Sequence, residues 1–164
     1  MKMIKNIVTV LLLVSTFAAC RPEIPEFQYL ETKSLENLSG QWKGMTVIQR
    51  DNEAERKKFP YQSMDITSFV KFSDFKLTLN TNGGSPSTFT IDNGTSMSLF
   101  KMASGTWQVN NVKQVSEIRL INGSDTAVLN LSPFSNLKEN KATFNYAKKL
   151  AGKPVITYEL TLTK

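Results

Sequence analysis

Hydrophobic and polar residues alternate along most of this chain. In "PVITYELTLTK" near the C-terminus, Ile156, Tyr158, Leu160 and Leu162 share one face, and Val155, Thr157, Glu159, Thr161 and Thr163 share the other. That is the period of a strand with one face buried and one wet. The same alternation aligns Phe75, Leu77 and Leu79 in "FKLTLN", Ile118 and Leu120 in "EIRLIN", Leu129 and Leu131 in "AVLNLS", and Phe144 and Tyr146 in "ATFNYA". "SGQWKGMTVIQR" reads as the first strand, and "TFTID", "SMSLFK" and "TWQVN" complete the set. Turn signals separate the runs at Asn82-Gly83-Gly84, Asn93-Gly94, Asn110-Asn111, Asn122-Gly123 and Gly152 with Pro154. Short strands joined by hairpins, with no long amphipathic helix, predict an all-β fold of eight or nine antiparallel strands, a barrel or a sandwich.

Two stretches depart from period two. Ser34 can cap a single helical turn that presents Leu35 and Leu38 on one side and stops at Gly40. Between the first strand and "FKLTLN" lie Asp51 to Asp74, where Asp65 is placed to cap a short helix with Ile66, Phe69 and Val70 on one face. Such an element between the first two strands would cover one mouth of a barrel; the alternative is a loop packed on the outside. Phe59, Tyr61, Ile66 and Phe69, set among Arg56, Lys57, Lys58 and Lys71, make this segment the candidate lid or partner surface.

The N-terminus has a different logic. Lys2 and Lys5 precede the apolar run Ile7 to Val14 and the small pair Ala18-Ala19, the order of a secretory signal. The run is shorter than the about 20 residues that span a bilayer as a helix. Phe17-Ala18-Ala19-Cys20 resembles the lipobox of bacterial lipoproteins, in which the cysteine becomes the lipidated N-terminus. The chain then divides into a signal over 1–19, a lipidated Cys20 with a tether over 20–33 carrying Pro22 and Pro25, and a domain over 34–164. Acyl chains would hold it to a membrane, each buried methylene contributing about 0.8 kcal/mol. The residue after Cys20 is Arg21 rather than the aspartate associated with inner-membrane retention, which favours the outer membrane, on its periplasmic face or at the cell surface.

Composition narrows the chemistry. The chain has one cysteine and no histidine. With Cys20 acylated, thiol and imidazole catalysis, Ser-His triads and zinc sites of the usual ligands are excluded, and no metal or cofactor is expected. The formal charge of +6 includes Lys2 and Lys5 of the leader, and the other basic residues are scattered apart from Arg56-Lys57-Lys58 and Lys148-Lys149, each of which reads as a solvated face, which argues against nucleic acid. Asp65, Asp74 and Asp92 are the acids nearest the segment that could form a lid, but no nucleophile is paired with a base, so the domain reads as non-enzymatic.

Gly40-Gln41-Trp42 follows the one-turn helix and opens the first strand; Ser104-Gly105-Thr106-Trp107 repeats the S-G-x-W of Ser39 to Trp42 in a central strand. The order of helix, glycine and tryptophan is similar to the opening of the lipocalins. The arrangement as a whole resembles the lipocalin-like domains of unknown function (calycin-like barrels) in lipoproteins of the Bacteroidetes type. The resemblance implies an eight- or nine-stranded up-and-down barrel over Ser34 to Lys164, with the tryptophan across its closed end. The chain departs from secreted lipocalins in having only Lys148, Lys149 and Lys164 where those carry a bracing arginine, and no cysteine pair. Asp125-Thr126-Ala127 resembles a short O-glycosylation sequon of the same bacteria, which would make Thr126 the acceptor.

Two uses of such a barrel follow. The expected inward set, Trp42, Phe75, Leu77, Trp107, Leu120, Leu129, Phe144, Tyr146, Tyr158 and Leu160, either lines a cavity for a small apolar ligand or fills the barrel. Arg119 alternates outward and no lysine interrupts an inward run, so the ligand, if one binds, is expected to be neutral. With a filled barrel, a monomer tethered by its lipid would recognise a protein or glycan through its surface.

Overall fold

The computed structural model describes residues 35–164; the leader, Cys20, the tether and Ser34 lie outside the described residues. A helical turn, α1 (Leu35–Leu38), leads into β1 (Gly40–Asp51), α2 (Asn52–Arg56) and a short strand, β2 (Ser63–Asp65). The remaining strands are β3 (Lys76–Asn82), β4 (Ser85–Asp92), β5 (Ser104–Val109), β6 (Glu117–Asn122), β7 (Asp125–Leu131), β8 (Lys141–Leu150) and β9 (Lys153–Thr163). From β3 to β9 each strand pairs antiparallel with the next, β1 pairs with β3, and β9 returns to β1. The result is a closed, eight-stranded up-and-down barrel with β2 added to the free edge of upper β1. Short α2 lies between the first two strands, as expected of the fold, but at Asn52–Arg56 and capped by Asp51 rather than after Asp65, where the sequence places the inserted helix.

The register defines two ends. β1 rises from Gly40 at the lower end to Asp51 at the upper end, with Trp42 opposite Leu77 and Asp51 opposite Ile156. The lower end is closed by α1 and the loops β5–β6 and β7–β8, which bury Leu35, Leu38, Val115 and Leu137. Trp42 is fully buried there, and its indole N–H donates to the Leu38 carbonyl at 2.7 Å. Lys164, just past β9, places its Nζ 4.7 Å from the Trp42 ring centre and donates to the Asn37 carbonyl at 2.8 Å. A cation just past the last strand thus braces the tryptophan of the first. Burial pushes the Lys164 ammonium below the ordinary lysine range.

The upper end is covered in a way the sequence pattern does not announce. β3 reaches only to Lys43 along β1, leaving the upper edge of β1 without a ladder on that side. β2 takes part of it, with Ile48 opposite Asp65. Below that the chain keeps to the edge: Ile66 N–H donates to the Val47 carbonyl, Val47 N–H to Thr67 Oγ1, and Gly44 N–H to the Phe75 carbonyl at 2.8 Å. Backbone donors that would otherwise lie unpaired are satisfied along the whole strand. Asp65 caps a turn, accepting from Thr67 N–H at 2.8 Å, but the turn does not continue as a helix, and its face divides. Ile66 and Val70 are buried, whereas Phe69 is 77% exposed; the shared face expected for the three is therefore corrected.

"SMSLFK" is likewise not a strand. It belongs to the β4–β5 connection over residues 93–103, which crosses the mouth and buries Leu99, Phe100 and Met102. Its hydrophobic residues pack on the barrel rather than alternate, because the backbone bonds to the other covering segment: Met97 N–H donates to the Val70 carbonyl at 2.9 Å, and Thr95 Oγ1 to Asp74. The two segments form one cover. Beneath it the axis is filled by Trp42, Trp107, Phe72, Phe75, Phe89 and Phe144, all less than 2% exposed.

Candidate functional site

The inward set named from the sequence is brought together. Trp42, Phe75, Leu77, Trp107, Leu120, Leu129, Phe144 and Leu160 are each at most 1% exposed and belong to one continuous core with Tyr158; Tyr146 packs against it half-buried. Trp107, opposite Leu120, donates its indole N–H to the Asn80 carbonyl at 2.7 Å. Gly105 is needed two residues earlier because a Cβ there would lie 2.1 Å from the Ile121 carbonyl oxygen of β6. The repeated S-G-x-W thus places two tryptophans in the barrel, each tied to a backbone carbonyl. These residues are core.

The candidate lid or partner residues separate. Ile66 is part of the core, whereas Phe59, Phe69 and Tyr61 are exposed, Tyr61 to 90%. Lys57 lies 5.9 Å from the Phe59 ring centre and pairs with Glu53, which also pairs with Arg56; both cations hold the Glu53 carboxyl below its ordinary range. The three acids near the cover have structural partners. Asp65 caps its turn, Asp74 accepts from Thr95, and Asp92 accepts from Gly94 N–H and pairs with Lys76. Hydrogen bonds from Thr67 lower the Asp65 carboxyl, and the Gly94 amide with Lys76 lowers that of Asp92. Among the described residues no group of three or more His, Cys, Asp or Glu side chains could hold a metal ion.

One opening lies at the upper rim; another, of about 440 Å³, lies at the lower end beside Leu35, Thr81 and Val112. β7 pairs with β8 over only three rungs, Leu129–Tyr146, Asn130–Asn145 and Leu131–Phe144. Above Tyr146 the strands diverge: Asp125 to Val128 stays on β6 and Ala147 to Leu150 stays on β9. The split leaves a slot of about 360 Å³. Asp125, Thr126 and Val128 form one lip, Ala147, Lys148 and Lys149 the other, Lys101 and Met102 roof it from the β4–β5 connection, and Tyr146 lies at the vertex.

Tyr146 links the slot to the core. Its ring stacks on Phe100 at 4.8 Å and on Tyr158 at 6.4 Å, and Phe100 continues through Phe75 to Phe72. Burial, with the neighbouring Tyr158, raises its phenol above the ordinary tyrosine range, so at neutral pH the O–H is a donor. Lys148 places its Nζ 5.5 Å from the Tyr158 ring centre. The expectation that no cation stands on an inward run is therefore corrected: Phe144, Tyr146 and Lys148 share the inward parity of β8, and the lysine occupies the position where that run reaches the mouth.

Sequence reasoning left Lys101, Lys148, Met102 and Val128 out of the site. The parity of "ATFNYAKK" carried a signal for Lys148; Lys101 and Met102 depend on which loop crosses the mouth, and Val128 on where β7 parts from β8. Thr126 is exposed at the start of β7, on the lip of the slot. The sequence matches no family model and no curated protein.

Proposed function

We propose that this protein is a membrane-anchored lipoprotein without catalytic activity, whose lipocalin-like barrel holds one small apolar ligand in the rim slot between β7 and β8 rather than on its axis. The observation that carries the reading is the contrast between a barrel filled to its axis and an open slot of about 360 Å³ with apolar surface from Met102, Val128, Ala147 and the Tyr146 ring. That volume is at the small end of known ligand sites, which use the same combination of apolar walls and a few polar groups. The lipocalin resemblance is supported by the turn of helix before Gly40-Gln41-Trp42 and by Lys164 over the Trp42 ring, a lysine in the place of a bracing arginine. Lipidation at Cys20 and residence in the outer membrane rest on the lipobox and on Arg21.

Native mass spectrometry of the purified protein, followed by organic extraction, tests the ligand reading. A discrete co-purifying mass is expected, lost in Ala147→Trp, which fills the slot from its β8 lip. A protein of bare mass with nothing extractable would overturn it. Palmitate-analogue labelling of cells tests the anchor, Cys20→Ala abolishing the label.

A second reading is favoured by the aromatic surface at the upper end. Tyr61 and Phe69 are 90% and 77% exposed beside Lys57, Lys58 and Lys71, a combination suited to a protein or glycan partner. An empty slot would move the search there.

A further inference from the structure

Three lysines line a slot whose walls are otherwise partly apolar. Lys101 comes from the β4–β5 connection, and Lys148 and Lys149 from β8. Among the described residues none of the three forms an ion pair with a carboxylate. Asp125, on the facing lip, is the one acid that lines the slot, and it too makes no ion pair, so the lining carries a formal excess of two positive charges. Each of the three lysines is exposed, and a lysine can lay its apolar stem along a wall while its head stays in water.

The donors are of several kinds. Tyr146 at the vertex and Thr126 on the lip each bring a hydroxyl-bearing side chain to the lining. The backbone groups of Asp125 to Val128 and of Ala147 to Leu150 that face the split have no ladder partner across it. A neutral ligand would leave the three lysines without a counter-charge from the ligand. An anionic head at the rim would be met by short charge-assisted hydrogen bonds, while its body lay against Met102, Val128 and the edge of the Phe100–Tyr146 stack.

We infer that the rim slot selects a small carboxylate-bearing molecule with an aromatic or short aliphatic body, its carboxylate held by Lys148 with Lys101 and Lys149. This rests on the reading of a small-ligand slot above and narrows it, giving the apolar body an anionic head. Lys148 is the central contact, since it continues the inward face of β8 and its head already stands over the Tyr158 ring. Lys101 and Lys149 approach from the roof and the outer lip.

The test compares two probes with the same ring and different charge, 2-naphthoate and 2-naphthylmethanol, titrated into the purified protein by calorimetry. The carboxylate is expected to bind about tenfold more tightly than the alcohol. The difference should shrink as salt is raised from about 0.05 M to about 0.5 M, because the lysine heads are solvent-exposed. Lys148→Met keeps the apolar stem and removes the charge; combined with Lys101→Met it should bring naphthoate to the affinity of the alcohol and leave the alcohol unchanged. Equal affinity of the two probes for the unaltered protein would overturn the selectivity while leaving a small-ligand slot. Binding of neither would overturn both. A naphthoate preference that survives replacement of Lys101, Lys148 and Lys149 together would also defeat the assignment.

Discussion

Gly44 is where the cover meets the wall of the barrel, and replacing it by alanine tests whether the cover is built into the fold. A Cβ at Gly44 would lie 2.0 Å from the Phe72 carbonyl oxygen and 3.0 Å from the Phe72 ring. The obstacle is backbone, so no side-chain rotation relieves it, and Phe72 must retreat by more than an ångström. Phe72 is fully buried and stacks on Phe75 at 5.0 Å, and Phe75 accepts the Gly44 N–H at 2.8 Å. Overpacking of this kind costs about 1–3 kcal/mol. Loss of the hydrogen bond adds about 0.5–1.5 kcal/mol. A total of about 2–4 kcal/mol should lower Tm by roughly 6–20 °C in a domain of this size. Urea unfolding followed by tryptophan fluorescence measures the free energy, with Met45→Ala as control; Met45 is 50% exposed and its replacement should stay within about 0.5 kcal/mol. A Gly44→Ala protein within about 1 kcal/mol of the parent would mean that residues 66–75 are a loosely held outer loop, and the account of a filled mouth would fail.

Three further outcomes follow from other parts of the barrel. Gly105→Ala places a Cβ 2.1 Å from the Ile121 carbonyl oxygen and 2.9 Å from the Phe89 ring, and should cost about 2–4 kcal/mol by the same urea assay. Lys164→Met removes the cation over Trp42 and the bond to Asn37; a loss of about 1–2 kcal/mol is expected, and unchanged stability would remove the brace from the account. The Tyr146 phenol should titrate above 10.0 in absorbance at alkaline pH, in a step missing from Tyr146→Phe. Because its folded pKa is raised, its contribution to stability is full below about pH 10 and is lost as pH rises through the folded value; a parent protein whose alkaline stability matches that of Tyr146→Phe would contradict this.

The strands were legible because their information is local. Alternation in "PVITYELTLTK" or "EIRLIN" assigns each residue to a face without reference to the rest of the chain, and Tyr158, Leu160, Ile118 and Leu120 lie inside as that pattern requires. The helical turn at Leu35–Leu38 and the hairpins at Gly83-Gly84 and Gly152 follow equally from neighbouring residues. "SMSLFK" shows where local pattern fails: its apolar residues are as suited to covering a mouth as to forming a strand, and only the backbone bonds of a distant segment decide between them.

Alternation and punctuation by themselves determined the all-β class, a count of eight or nine strands and most of the core, since burial of one face is imposed residue by residue. The tertiary structure decided what happens at the ends and rim. Lys164 finds Trp42 because barrel closure brings β9 to β1, Ile66 and Phe69 part company because the upper edge of β1 needs partners, and the β7–β8 split exists because each strand holds more tightly to its other neighbour. Those outcomes depend on contacts between segments far apart in the chain, where the preference of any short stretch is too weak to choose.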